Sequence, residues 1–160
     1  MKSKPASPSA GLTRRSTLHT AGLGLATMAI LSGPAAASES TATERANIQT
    51  VNDFCAAWTS HDIDKIMSFF AENCAYRMTE TQDAIRGQQA VLERIKSFVN
   101  AVQGFDVIET FAKGPIVVNE RNDHFQGGGP LKKWRGVGVF FLKNGKIAEW
   151  SDYTISMDRA

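Results

Sequence analysis

The sequence predicts an α+β domain in which helices cover one side of a curved, mixed but mostly antiparallel sheet. Three observations carry this. Helical periodicity dominates the first part of the chain after residue 43, whereas from Phe105 onward the chain reads as four successive strands. Asn144-Gly145 joins the last two of these, the strongest short-range hairpin signal a sequence can carry. The strand GPIVVNERNDHF puts Val117, Asn119, Arg121, Asp123 and Phe125 on one face by the two-residue period.

Residues 1–37 stand apart from that domain. A short polar stretch with Lys2 and Lys4 leads to Arg14-Arg15, then to an uncharged Ala-, Gly- and Leu-rich run that closes on Ala35-Ala36-Ala37. A basic start, an apolar middle and a small-residue ending describe an export signal, and the adjacent arginines resemble the twin-arginine type. The apolar run is short and holds Gly33-Pro34, which argues against a permanent membrane span. The expected location is therefore the periplasm or the exterior. Four of the 18 basic residues and none of the 16 acidic ones fall in this leader, so the remainder carries 14 against 16. No basic surface suited to nucleic acid is left. About 123 residues remain, enough for one core and too few for two.

Residues 38–45 read as a flexible lead-in and 46–157 as the domain. The first helix runs from about Glu44 to Ser60, with Ile48, Val51, Cys55 and Trp58 as its apolar stripe. Asp62 caps a short second helix, Ile63 to Phe70. A strand from Cys74 to Met78 turns Cys74, Tyr76 and Met78 to one side. After a polar connection, Gly87 opens a third helix to about Val102, buried through Val91, Ile95, Phe98, Val99 and Val102. Strands follow at 105–112, 115–125, 132–143 and 146–156, with turns at Lys113-Gly114-Pro115 and in Gly127-Gly128-Gly129-Pro130. The glycine run lacks the strand–loop–helix context of a phosphate loop and reads as a turn at the rim of a pocket. Cys55 and Cys74 either bridge or serve as buried small hydrophobes. His61 and His124 lack ligand partners at metal-binding spacing, and no cofactor is implied.

The chemistry-bearing residues are the acids and the arginine of the sheet. Asp152 lies between Trp150 and Thr154 on one face of the last strand, and Arg121 and Asp123 share the inner face of their own. Two carboxylates and a guanidinium so placed suit general acid/base work, or else form a salt-bridged sheet surface.

WTSHDIDKIMSFFAENCAY, IRGQQAVLERI, KGPIVVNERNDHF and GVFFLKNGKIAEWSDY together resemble the limonene-1,2-epoxide hydrolase family. That family sits in the SnoaL-like and NTF2-like superfamily of cone-shaped α+β domains, and the resemblance spans about residues 46–156. It implies an NTF2-like cone with three helices packed against the sheet, and a homodimer. It implies Asp152 as the base that activates a water, Asp123 as the acid that protonates the epoxide oxygen, Arg121 as their bridge and Tyr76 as a holder of the water. The family's asparagine two residues after the tyrosine is replaced by Met78, and a thioether cannot supply the amide's donor. Either another polar group such as Asn119 substitutes for it, or the activity is weakened or changed.

The expected reaction is hydrolysis of a small apolar epoxide to a vicinal diol, without cofactor. Met78, Asn119, Phe98, Phe125, Trp134, Phe140 and Trp150 are the expected pocket lining. Two other readings stay open. One is an isomerase or cyclase of the same fold that acts on a steroid- or polyketide-like ketone. The other is a non-catalytic periplasmic carrier of an apolar ligand.

Overall fold

A computed structural model describes residues 39–126, 129 and 132–157. The expected export leader and all of the expected glycine turn except Gly129 lie outside them.

Helix α1 (Ala42–Ala57) starts at a capping box: Thr41 Oγ1 accepts from the Glu44 backbone N–H, and the Glu44 carboxylate accepts from the Thr41 N–H. Residues 42–45 are therefore its first turn and no lead-in. The other Glu44 oxygen accepts from the Gly114 N–H at 2.8 Å, while Asn47 donates to the Gly114 carbonyl, which ties this helix end to a hairpin turn 70 residues away. A single 3₁₀ turn, Trp58–Ser60, follows, and His61 adopts a left-handed conformation (φ 53°) that ends it. Asp62 caps helix α2, Ile63–Met67. This helix stops short of the expected Phe70, which instead opens strand β1 (Phe70–Arg77) and turns its ring into the core. A two-residue strand β2 (Ile85–Arg86) interrupts the polar connection. Helix α3 spans Gln88–Lys96, shorter than expected, because a 3₁₀ turn at Val99–Ala101 carries the rest of its apolar stripe.

Four long strands complete the sheet: β3 (Val102–Lys113), β4 (Ile116–Phe125), β5 (Lys132–Lys143) and β6 (Lys146–Ser156). The order is β2-β1-β6-β5-β4-β3, with only the β1–β6 pair parallel. The expected mixed, mostly antiparallel α+β fold is thus present. Register shifts in β1, β3 and the β5–β6 pair bend the sheet, as bulges do.

The concave side holds the core. Phe54 is its hub: its ring meets Trp58, Phe69, Phe70, Phe140 and Trp150 edge-on, at centroid separations of 5.1–5.9 Å. Such edge-to-face contacts match the ring quadrupoles and fix the angle between α1 and the sheet. Cys55 and Cys74 are free and buried, the second of the two expectations for them. The convex side is unusual for its exposed apolar side chains, among them Phe111, Ile116, Phe141, Tyr153 and Ile155.

Candidate active site

The alternation of β4 buries Val117, Asn119, Arg121 and Asp123 on the concave side, as its period requires. Strand β6 sends Trp150 and Asp152 to the same side from across β5. Arg121 is 1 % exposed and joins the two acids. Its Nη2 donates to Asp152 Oδ1 at 2.8 Å and to Asp123 Oδ2 at 3.3 Å, so one nitrogen serves both carboxylates. Arg121 Nε lies 2.8 Å from Asp123 Oδ1, yet neither atom has a hydrogen-bond partner among the described residues; this contact is an ion pair in which the N–H points elsewhere. The guanidinium also lies 4.8 Å over the Phe105 ring.

Asp152 is the better-held acid. Its Oδ1 accepts from Arg121 and, at 2.7 Å, from the indole N–H of Trp150. No hydrogen bond engages its Oδ2 among the described residues, and Asp152 lines the cavity. Burial pushes both carboxyls upward against the pull of Arg121, Asp123 to about 6. One guanidinium and two carboxylates sum to −1 in a dry site, and a single proton neutralises them. The two charge-assisted donors on Asp152 favour its ionised form.

A cavity of ≈ 230 Å³ opens beside these groups, lined by Tyr76, Met78, Thr79, Phe98, Phe105, Asp123, Phe125, Trp134, Trp150, Asp152 and Thr154. Tyr76 stacks on Trp150 at 4.1 Å, and burial next to Asp152 keeps its phenol well above the usual range. Of the expected pocket residues, Met78, Phe98, Phe125, Trp134 and Trp150 reach the cavity. Two do not. Phe140 is fully buried, stacked behind Trp150 and against Phe54, and belongs to the core. Asn119 is committed elsewhere: its Nδ2 donates to Thr110 Oγ1 at 2.6 Å and its Oδ1 accepts from the Cys55 thiol. It cannot stand in for the missing asparagine. Phe105, Thr79 and Thr154 escaped the sequence reading as lining. Phe105 pairs directly across from Asp123, and Thr154 sits two residues beyond Asp152, a signal already present in the strand period.

His124 faces the other side of β4, where Nε2 meets Asp106 Oδ2 at 2.7 Å. His61 Nε2 lies 2.7 Å from the Val102 carbonyl and fastens the end of the first helical segment to β3. Among the described residues no three His, Cys, Asp or Glu gather as a metal site. No described helix is long and apolar enough to cross a membrane.

Solved structures of similar fold agree with this architecture. A Mycobacterium tuberculosis LEH-like epoxide hydrolase is 26% identical, with a TM-score of 0.59, over 70% of this chain and 84% of its own. SalBIII, described as an epoxide hydrolase/cyclase-like enzyme in pyran ring formation in the polyether salinomycin, is 23% identical with a TM-score of 0.65, over 69% of this chain and 92% of its own. A Jannaschia protein provisionally assigned as a SnoaL-like polyketide cyclase is 15% identical with a TM-score of 0.64, over 72% and 90%. The expected SnoaL- and NTF2-like superfamily is thereby borne out. A family model described as the SnoaL-like domain matches residues 51–150, well over half of the 160, and the chain belongs to that family.

Proposed function

We propose that this protein opens a small, apolar epoxide by acid–base catalysis in one step, adding water to give a vicinal diol. The observation that carries this reading is one buried arginine bridging two carboxylates of unequal environment at the wall of a mostly aromatic cavity. Asp152, through its free Oδ2, takes a proton from water as the water oxygen bonds to an epoxide carbon. The C–O bond breaks, and the released oxygen takes the proton held by Asp123. Simultaneous delivery avoids a free alkoxide or hydroxide in an apolar site. The phenol of Tyr76, beside Asp152 on the same wall, is a second contact for the water. The 26% identity to an LEH-like epoxide hydrolase supports the assignment.

Met78 favours a second reading. The cavity wall carries a thioether where a water-holding amide is expected, and a substrate that brings its own nucleophile or needs only proton abstraction does not require that amide. An isomerase or ring-closing enzyme of the same fold fits this feature. Incubation with racemic epoxides in heavy-oxygen water separates the readings. Singly labelled diol supports hydrolysis; unlabelled cyclic ether or isomerised ketone supports the second reading. Tight binding of unchanged ligand with no turnover would reject both in favour of a carrier.

Export by the twin-arginine route, read from Arg14-Arg15 and Ala35-Ala36-Ala37, is part of the proposal. Full-length protein that stays in the cytoplasm with Met1 intact would overturn it. The exposed Phe111, Ile116, Phe141, Tyr153 and Ile155 on the convex face support a homodimer, which a monomeric mass at micromolar concentration would reject.

A further inference from the structure

Strand β5 runs between β4 and β6, and its concave side is bare at its centre. Trp134, Gly136, Gly138 and Phe140 share that side, so two consecutive inward positions of a central strand carry no side chain. Glycine weakens a strand interior, and it calls for a reason. Backbone conformation is not the reason. Among the described residues the glycines with positive φ are Gly87, Gly104, Gly114 and Gly145, and neither Gly136 nor Gly138 is one of them. Space is the reason. A Cβ on Gly138 would lie 2.5 Å from Arg121 Nη1 and 2.6 Å from Phe140 Cε2, and a Cβ on Gly136 would lie 2.8 Å from Asp123 Oδ2.

The register explains both collisions. Arg121 pairs across from Gly136, and Asp152 pairs across from Gly138. Strands β4 and β6 are two strand spacings apart, roughly 10 Å. To reach Asp152 the guanidinium must cross β5 on the diagonal, directly over Gly138. Asp123 pairs across from Trp134 and leans the same way, over Gly136. Among the described residues Nη1 has no hydrogen-bond partner at this crossing, and the clearance over Gly138 accommodates it.

We infer that Gly136 and Gly138 are positioning residues: they form a side-chain-free floor on β5 over which Arg121 and Asp123 reach toward Asp152. Any side chain at 138 lifts the guanidinium and separates the two carboxylates from their common partner. Any at 136 displaces the Asp123 carboxyl. On the proposed epoxide chemistry, Gly138→Ala lowers kcat about tenfold or more, because the added Cβ displaces the guanidinium that holds both reacting carboxylates. That consequence rests on the proposed function. The two measurements that follow do not, so failure of one is distinguishable from failure of the other.

The first is a carbon-detected NMR titration of the Asp123 and Asp152 carboxyls without substrate. Gly138→Ala is expected to move the midpoint of at least one by about one pH unit, since the shared guanidinium sets both. Val139→Ala, facing the opposite side of the same strand, leaves them in place. A folded Gly138→Ala protein with unchanged midpoints overturns the inference. The second is a melting cycle on Gly136 and Asp123, chosen because the three atoms nearest the added Cβ all belong to the Asp123 carboxyl. Gly136→Ala should lower Tm by about 4 °C or more in the natural chain, or prevent folding there, and by about 1 °C or less in an Asp123→Ala background. Equal losses in both backgrounds overturn the inference even if Gly138→Ala does not fold.

Discussion

The indole N–H of Trp150 donates to Asp152 Oδ1 over 2.7 Å, two residues along the same strand. With Arg121 on that same oxygen, the bond turns one side of the carboxylate into a fixed anchor. Trp150→Phe keeps the stack on Tyr76 and deletes the donor. A hydrogen bond to a buried charge contributes roughly 1.5–3 kcal/mol, so kcat should fall about tenfold or more. The lost donor favoured the ionised base, and its removal raises the Asp152 pKa further. The acid limb of the kcat/KM profile should therefore move to higher pH, which a pH–rate series reads directly. An unmoved limb would falsify the anchoring role.

Asp152 and Asp123 differ in what holds them, and their amide variants should differ accordingly. Asp152→Asn removes the base and should lower turnover by about 100-fold or more. Asp123→Asn removes the acid, with the smallest loss on epoxides whose ring carbon best stabilises positive charge. Arg121→Lys keeps the charge but loses the planar fork, leaving at least one buried carboxylate unpartnered and turnover strongly reduced. Kinetics of the three variants on one epoxide panel, with circular dichroism to confirm folding, checks the set. Natural turnover in both aspartate variants would remove the mechanism.

Burial also makes Asp123 a pH sensor of stability. Its pKa is raised from 3.8 to about 6 in the folded protein, so between these values the folded state binds more protons than the unfolded one. Its contribution is full below about 4 and is lost as pH rises through 6. Across this window the contribution amounts to at most about 3 kcal/mol. Denaturant unfolding at pH 4 to 8 should show the natural chain losing stability relative to Asp123→Asn as pH rises across this window. Parallel pH dependences would contradict it.

Periodicity carried the fold and most of the site because it acts locally. The two-residue period of β4 placed Arg121 and Asp123 inward, but the register set by the Asn144-Gly145 turn shifts by one residue between Leu142 and Phe141, and only beyond that shift does Asp152 come opposite Gly138. Asn119 shows where that reasoning ends. It shares the inward face, but whether its amide meets the cavity or helix α1 depends on partners 9 and 64 residues away, Thr110 and Cys55. Phe140 likewise faces inward, yet sheet curvature aims it at Phe54 and the core. The glycines of β5 carried no periodic signal at all, since their role lies in side chains from the two neighbouring strands. Long-range contact decided each of these, and a two-residue period cannot encode it.

Met78 is the one departure from the hydrolase pattern that reaches the cavity wall, and it offers a gain-of-function test. It follows β1 directly, two residues beyond Tyr76, so an amide there would share the wall with the phenol and the free oxygen of Asp152. An asparagine supplies both a donor and an acceptor, whereas the thioether supplies at best a weak acceptor. If water placement limits hydrolysis, Met78→Asn should raise kcat on a generic apolar epoxide by about tenfold, within the range that orienting a reactant provides. KM should change little or rise slightly, because one apolar contact among several aromatic ones is lost. Heavy-oxygen incorporation into the diol, followed for the natural chain and the variant side by side, gives the comparison. A variant that gains no hydrolysis while the natural chain still isomerises or cyclises its substrate would assign the base to proton abstraction or to an internal hydroxyl, and Met78 to the packing of that substrate.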